Sequence, residues 1–513
     1  MEREYTVIAT SRENLIALEN EIRASDGDGV IPNRSVDIAN PRLGSKIQTH
    51  FMLTDEEAEA LRNDPRVRAV EIPPEQRTDI TIGLTANQTG TFYRGNNSTA
   101  TNVNWGLRRC IEETNVYANS VTTAGDYLYA LSGKGVDIVI QDSGVDQDHP
   151  EWLDENGVSR FQAINWYSAS GISGSQDAFF YLDYDGHGTH CAGITAGKTY
   201  GWAKGAHIYS QKLAGLEGTL DPGNGISISN AFDAIRLWHL AKTNGRPTVV
   251  NMSWGYLGTH SSTPTSGVYR GTPWTYSSET DIQLWDNYGI VVKFGDGFRR
   301  LPAQVASVDA EIEDMIDDGI HICIAAGNDY YKADVSGGVD YNNYAIFDGF
   351  TRYYHRPSSP YSSRAFIVGN IDSSTILDGT YKERTAGSSK KGPAVNVWAP
   401  GTAIQSTCSV NYNTSKFSAL NYPDDSNYKI MNISGTSMAA PQVAGICALY
   451  LESMPDLTPA EMQTKIFNDS KSVIYETGFD NDYRAFTTSI MDSNNRLLYS
   501  KYGVLNPFTI NTT

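Results

Sequence analysis

The chain has 513 residues, 40% of them hydrophobic, and a formal net charge of −19, so it can bury a large core and hold more than one domain. The acidic balance argues against nucleic acid as a partner, because phosphate binding needs a basic footprint. No run approaches the roughly 18 apolar residues of a membrane span, and Met1-Glu2-Arg3-Glu4 leads into no signal-peptide core, so a cytoplasmic or particle-associated protein is expected over a classically secreted one.

Residues 1–76 read as a small α+β unit. Tyr5 to Ala9 is a strand, Glu13 to Ala24 a helix and Ile47 to Leu53 a second strand. Thr54 with Glu57 makes a capping box for a helix over Asp55 to Asn63, and Val67 to Ile72 is a last strand. That order predicts a ferredoxin-like domain. Residues 77–104 lack apolar periodicity and are rich in Thr, Asn and Gly, as an exposed linker would be. From Trp105 a larger domain, 105–470, begins. Gly135 to Gln141 is a buried strand ending at Asp142, and strands and helices then alternate: Ala206 to Lys212, Ile228 to Thr243, Thr248 to Ser253, Val305 to Asp318 and Ile320 to Ala325. This is the pattern of a doubly wound α/β sheet. Two aromatic, Gly- and Ser-rich stretches, near 256–300 and 329–362, show no period and are expected as surface insertions. In the C-terminal extension, 471–513, Tyr483 to Thr488 and Arg496 to Tyr502 suggest short strands. The five scattered cysteines give no disulfide framework and no CxxC metal spacing. Buried free thiols are expected.

Three motifs follow one another along the larger domain: Asp142 at its strand end, Asp185-Gly186-His187-Gly188-Thr189-His190, and Gly435-Thr436-Ser437 ahead of a helical apolar run. A serine hydroxyl is a poor nucleophile unless it is held still and given a base, and a helix N-terminus offers N–H groups to a developing oxyanion. In this order the motifs resemble those of the subtilisin-like serine peptidases, nearest the proteinase K-like branch. The resemblance makes Asp142 the residue that orients the base, His187 the general base and acid, and Ser437 the nucleophile. It makes Asn328, in Ala325-Ala326-Gly327-Asn328, the oxyanion donor, and gives substrate binding to Ser253, Trp254 and Gly255 with Ala325, Ala326 and Gly327. It also implies that residues 1–76 are an inhibitor-like propeptide, with a processing site between about Asp79 and Asn104.

Gln141 and Gln442 depart from the family pattern. The loop Gly197 to Gly205 is shorter than a calcium-binding loop of secreted relatives, so that site is expected to be absent. Asp372 aligns with a carboxylate that helps bind a stabilising cation in the family, so it reads either as a ligand of a structural calcium or as a solvated turn aspartate. His190 and His149 read as structural. The expectation is a self-processing serine endopeptidase acting on polypeptides, needing no cofactor for chemistry, with its own N-terminal domain as intramolecular inhibitor. The alternative is a structural or assembly protein, of a phage particle for instance, that uses the triad once or not at all.

Overall fold

The computed structural model describes residues 2–24, 29–31, 34–77, 79, 81–84, 86–89, 104–113, 127–217, 220, 224–375, 383–476 and 490–505. The N-terminal unit runs β1 (Arg3–Ala9), α1 (Arg12–Arg23), β2 (Ile38–Asn40), β3 (Gln48–Leu53), α2 (Asp55–Arg62) and β4 (Val67–Glu71). Its sheet has the order β2-β3-β1-β4, with β1 antiparallel to both β3 and β4, which is the ferredoxin-like arrangement. Ser11 caps α1, and the capping box of Thr54 and Glu57 opens α2. Strand β2 was not expected. It has three residues, too few to show an alternation. Tyr5, Val7, Leu15, Leu18, Phe51 and Leu61 fill the core between helices and sheet.

Two short strands follow in the linker, β5 (Thr81–Leu84) and β6 (Ala86–Thr89). The larger domain then contains α3 (Trp105–Arg109), β7 (Tyr127–Tyr129), β8 (Asp137–Asp142), α4 (Trp166–Ser170), α5 (His187–Ala196), β9 (His207–Lys212), α6 (Ile228–Ala241), β10 (Thr248–Met252) and β11 (Trp254–His260). After these come β12 (Ser266–Tyr269), β13 (Thr272–Thr275), α7 (Asp281–Tyr288), β14 (Arg299–Pro302), α8 (Ala306–Asp317), β15 (His321–Ala325), β16 (Tyr344–Phe347) and β17 (Phe350–Tyr353). The chain closes with β18 (Phe366–Thr375), β19 (Glu383–Thr385), β20 (Val397–Pro400), β21 (Ile404–Cys408), β22 (Ala419–Tyr422), β23 (Asp425–Gly435), α9 (Thr436–Ser453), α10 (Pro459–Asp469) and β24 (Gly503–Leu505).

The central sheet has seven strands in the order β19-β18-β15-β10-β8-β9, with β20 also paired to β18. All its pairings are parallel except β18 with β19. Every residue of β8 is buried, as expected of a strand covered on both faces. Because β9 and β10 lie on opposite sides of β8, the winding reverses there, and the crevice beyond its carboxyl end is where such sheets bind ligands. Helix α9 is buried from Thr436 to Leu451 and packs on α5, β10, β15 and β18. Its small and apolar residues on every side therefore belong to a central helix.

The two expected insertions carry regular structure that their lack of sequence period did not show. Strands from both join in one sheet of order β13-β12-β16-β17, over a shared core that includes Trp274, Leu284, Leu301, Phe347 and Tyr354. Each of those strands has four residues, too short for a period to emerge. At the C-terminus β24 pairs with β7, and Leu497 bridges to Trp398 and Lys471. The strand expected over 483–488 lies outside the described residues. All five cysteines are free and buried.

The N-terminal unit docks on α6 and α8 through charge. Arg42, buried, forms ion pairs with Asp233 of α6 at 3.1 Å and with Glu311 of α8, which also accepts from Gln48. Lys46 Nζ lies 2.9 Å from Asp318, which also pairs with Arg236 at 2.8 Å. Glu71 accepts from the backbone N of Ser307 at 2.8 Å and Glu75 accepts from Ser229 Oγ, so carboxylates sit at the positive N-terminal ends of both helices. Removing one partner of a buried pair strands the others, at about 3–5 kcal/mol. Arg42→Ala in an inactive Ser437→Ala chain is expected to loosen this docking by that amount, read as an earlier calorimetric transition and faster limited proteolysis of residues 1–76.

Candidate active site

Asp142 is the last residue of β8 and His187 the first of α5. Their side chains are fully buried and meet at 2.8 Å, Nδ1 of the imidazole to Oδ1 of the carboxylate. The approach depends on Gly188, where a Cβ would stand 2.1 Å from the carbonyl oxygen of Gly144 and 3.0 Å from Asp142 Cβ. A second carboxylate holds the same junction. Asp183 accepts from Ser143 Oγ at 2.9 Å, Gly186 N at 2.8 Å, Thr189 N at 2.9 Å and Thr189 Oγ1 at 2.6 Å. It thereby satisfies N–H groups that open α5 and would otherwise lack partners. Burial pushes its pKa up, against the pull of the Thr189 hydrogen bonds. No role for Asp183 was read from the sequence; its signal was an acid ahead of a helix start.

Ser437 is the second residue of α9. Its Oγ donates to the carbonyl of Ser253 at 3.1 Å, while Ser253 Oγ donates to the carbonyl of Ser437 at 3.0 Å and itself accepts from Asn251 Nδ2 at 2.9 Å. Cys191 Sγ lies 3.5 Å from Ser437 O and 3.9 Å from His187 Nδ1, which places helix α5 against the start of α9. Burial raises the Cys191 pKa well above the ordinary value, so it stays a neutral thiol. Asn328 joins the group from the loop after β15. Its Oδ1 accepts from Thr436 N at 3.0 Å and Thr436 Oγ1 at 3.2 Å, which turns the amide nitrogen to the other side. Thr436, part of the serine motif but given no role from sequence, is the residue that orients Asn328.

The expected substrate-binding residues divide. Trp254 and Gly255 offer backbone, since the Trp254 indole is buried and packs near Phe232 and Tyr256. Ala325 and Ala326 supply methyl groups and Gly327 bare backbone, but charge lies behind them. The Lys390 chain passes 3.2 Å from where a Cβ of Gly327 would be, and its Nζ pairs with Asp329 at 3.2 Å and donates to Ser358 Oγ at 2.7 Å.

Asp372 stands apart from this group. Its Oδ2 meets Arg384 at 2.7 Å and its Oδ1 accepts from Ser373 at 3.2 Å. A guanidinium therefore already neutralises the carboxylate, and this set does not fit a hard cation, which takes six to eight oxygens. In the short loop after α5, Lys204 Nζ donates to the carbonyls of Lys198 at 2.8 Å and Gly201 at 2.7 Å, and burial pushes its pKa down to about 8. Among the described residues, the group of three side chains with metal-ligand spacing is Asp142, His187 and Cys191, which shares Asp142 and His187 with the expected triad but not Ser437. His190 Nε2 lies 3.1 Å from the carbonyls of Ile404 and Met431, and burial pushes it down to about 3, so it is neutral and structural. His149 accepts from Glu151 N at 3.2 Å and reaches Lys429 O at 3.0 Å.

Both departures from the pattern are accommodated. Gln141 donates to Gln211 at 2.9 Å. Gln442 accepts from Trp202 Nε1 at 2.7 Å and exchanges amide hydrogen bonds with Asn104 at 2.8 and 3.1 Å. A buried imidazole oriented by a carboxylate, beside a serine at a helix N-terminus and an amide donor, is equipped for acyl transfer without a cofactor.

Comparison with known proteins bears on the family and the fold. The chain is 27% identical over 359 residues to a subtilisin-like protease of Coccidioides posadasii, covering 70% of this chain and 52% of the relative. It is 27% identical over 430 residues to the subtilisin-like serine protease Cur l 4.0101 of Cochliobolus lunatus, covering 81% of this chain and 62% of the relative. An extracellular serine proteinase of a Thermus species is 27% identical over 415 residues, 80% of this chain and 68% of the relative. The chain thus spans little more than half the length of the first of these relatives. Fervidolysin from Fervidobacterium pennivorans, described as a keratinolytic enzyme related to subtilisin, shares the fold at a TM-score of 0.52 and 18% identity, over 99% of this chain and 62% of that one. The family model of the subtilases (peptidase S8) matches residues 133–488, and this chain belongs to the subtilase family.

Proposed function

We propose that the protein is a serine endopeptidase made as a precursor that cuts itself. One observation carries the reading: the chain's own linker lies across the site on both sides of Ser437. Strand β5 pairs antiparallel with β11, Leu84 opposite Trp254 and Gly83 opposite Gly255. Strand β6 pairs antiparallel with the end of β23, Ala86 opposite Gly435 and Gln88 opposite Ser434. Strand addition of this kind is how extended peptides are held by backbone. A cleft that takes polypeptide before and after the reacting position suits an endopeptidase, which must accept chain in both directions.

In this scheme His187 Nε2 takes the proton of Ser437 Oγ as the oxygen attacks the peptide carbonyl. Asp142 fixes the tautomer that leaves Nε2 as the base and stabilises the imidazolium. Asn328 Nδ2 and the Ser437 backbone N–H hold the oxyanion. His187 then returns the proton to the leaving amine, and water releases the acyl group by the same route. The residues joining β5 and β6 support a processed bond on one side or the other of Thr85, which itself lies outside the described residues, as do residues 90–103 of the linker. The docked N-terminal unit, with carboxylates at two helix ends, supports the inhibitor role for residues 1–76.

Incubation of the purified chain followed by intact-mass measurement is expected to give a cut at Leu84–Thr85 or Thr85–Ala86, and none in Ser437→Ala, which keeps its circular dichroism and loses labelling by a fluorophosphonate probe. A cut elsewhere, or one that persists in Ser437→Ala, rejects the scheme. Asn328→Leu is expected to lower kcat by about 10²–10³-fold with little change in KM, the scale seen when one oxyanion donor is removed from a subtilisin. Thr436→Val removes one of the two hydrogen bonds that hold Asn328 and is expected to lower kcat by about 3–10-fold, in line with the net worth of a single hydrogen bond. A change confined to KM in either variant counts against the assignment.

A further inference from the structure

The ladder that holds the linker extends into the insertion. Strand β11 pairs with β5 on one side and with β14 on the other, and β17 of the second insertion packs near β14. From β17, Arg352 reaches back to the linker: its Nη1 lies 3.3 Å from Asp79 Oδ2, two residues ahead of β5. The Arg352 side chain is 16% exposed against 37% for Asp79, and its guanidinium lies 5.3 Å from the Phe350 ring centroid. Its Nε is buried and has no hydrogen-bond partner among the described residues. The nearby acid Asp348 is turned to His260 at 3.4 Å and Ser262 at 3.0 Å. The second cation on Asp79, Arg77 at 2.8 Å, belongs to the same linker and departs with it on processing. Arg352 stays with the enzyme.

We propose that Arg352 forms a remote subsite for an acidic side chain five residues upstream of the position held by Leu84. The inference rests on the reading that β5 marks the substrate's path. An extended chain rises about 3.3 Å per residue, so the contact is roughly 17 Å from that position and is made by substrates long enough to reach the insertion. The pairs around Asp79 hold its carboxyl down at about 2, chiefly through the Arg77 hydrogen bonds with Arg352 adding to them, so the acid there is ionised at neutral pH.

The test uses the wild-type enzyme, Arg352→Glu and Arg352→Lys, with two peptides spanning residues 76–90 of this chain. Both carry Arg77→Ala, so that the enzyme's arginine alone faces position 79, and they differ by Asp or Lys there. For the wild type and Arg352→Lys, kcat/KM is expected to favour the Asp peptide by about two- to five-fold, through KM, with the preference fading as salt rises. Arg352→Glu is expected to reverse the order. An equal Asp-to-Lys ratio in wild type and Arg352→Glu, or a wild-type ratio of one that does not change with salt, overturns the subsite while leaving the endopeptidase reading intact. Failure of the wild type to cut either peptide beside Thr85 overturns the path through the cleft and the subsite with it.

Discussion

The 2.8 Å contact between His187 and Asp142 joins the end of a strand to the start of a helix with no solvent between them. A buried carboxylate and imidazole tolerate little displacement, because each is the other's compensation for lost water. The architecture around them can be understood as what keeps that junction fixed. The parallel sheet sets the end of β8 at the reversal of its winding, Gly188 lets α5 come close, and Asp183 ties the two loops together. Helix α9, buried on every side, delivers Ser437 to the same place with its N-terminus toward the reacting centre.

Much of this was legible in the sequence, and the reasons are specific. The strand Asp137–Asp142 is an apolar run, Ile138 to Ile140, closed by polar residues, Thr248–Met252 is buried throughout around Val249 and Val250, and helices such as Ile228–Ala241 carry a full amphipathic period. The motifs of Asp142, His187 and Ser437 stood out in the sequence because the chemistry read for them demands particular residues at short spacing. The strands of the linker were not. Thr81–Leu84 and Ala86–Thr89 have no pattern of their own, and they are strands because β11 and β23 present unpaired edges to them. The insertion sheet failed for a related reason, since its four-residue strands come from two segments that meet only in space. Nothing local in Arg42, Lys46, Glu71 or Glu75 says that they face another domain.

The N-terminal unit and the catalytic domain meet through paired charge and helix-end carboxylates as well as packing. On the proposed reading of residues 1–76 as an inhibitor, that choice suits a partner that is held and then released. A wholly apolar interface would release only by exposing a large hydrophobic face, whereas Asp233 of α6, Glu311 and Asp314 of α8, and Asp318 just beyond it would hydrate favourably on such a release. Arg236 lies among them, 3.2 Å from Asp314 and 2.8 Å from Asp318, and would give that surface an internal counter-ion.

Lys204 and Arg384 have a consequence of another kind. Each supplies positive charge to oxygens of a turn or strand end from a side chain rather than from solution. An ion taken from solution stabilises a fold by mass action, through an amount that grows with its free concentration and vanishes on dilution. A charge carried on the backbone's own covalent tether has no such dependence. At these two places the counter-charge is held at fixed stoichiometry; salt in the medium screens the part-exposed Arg384–Asp372 pair, and for Lys204 proton activity enters near pH 8.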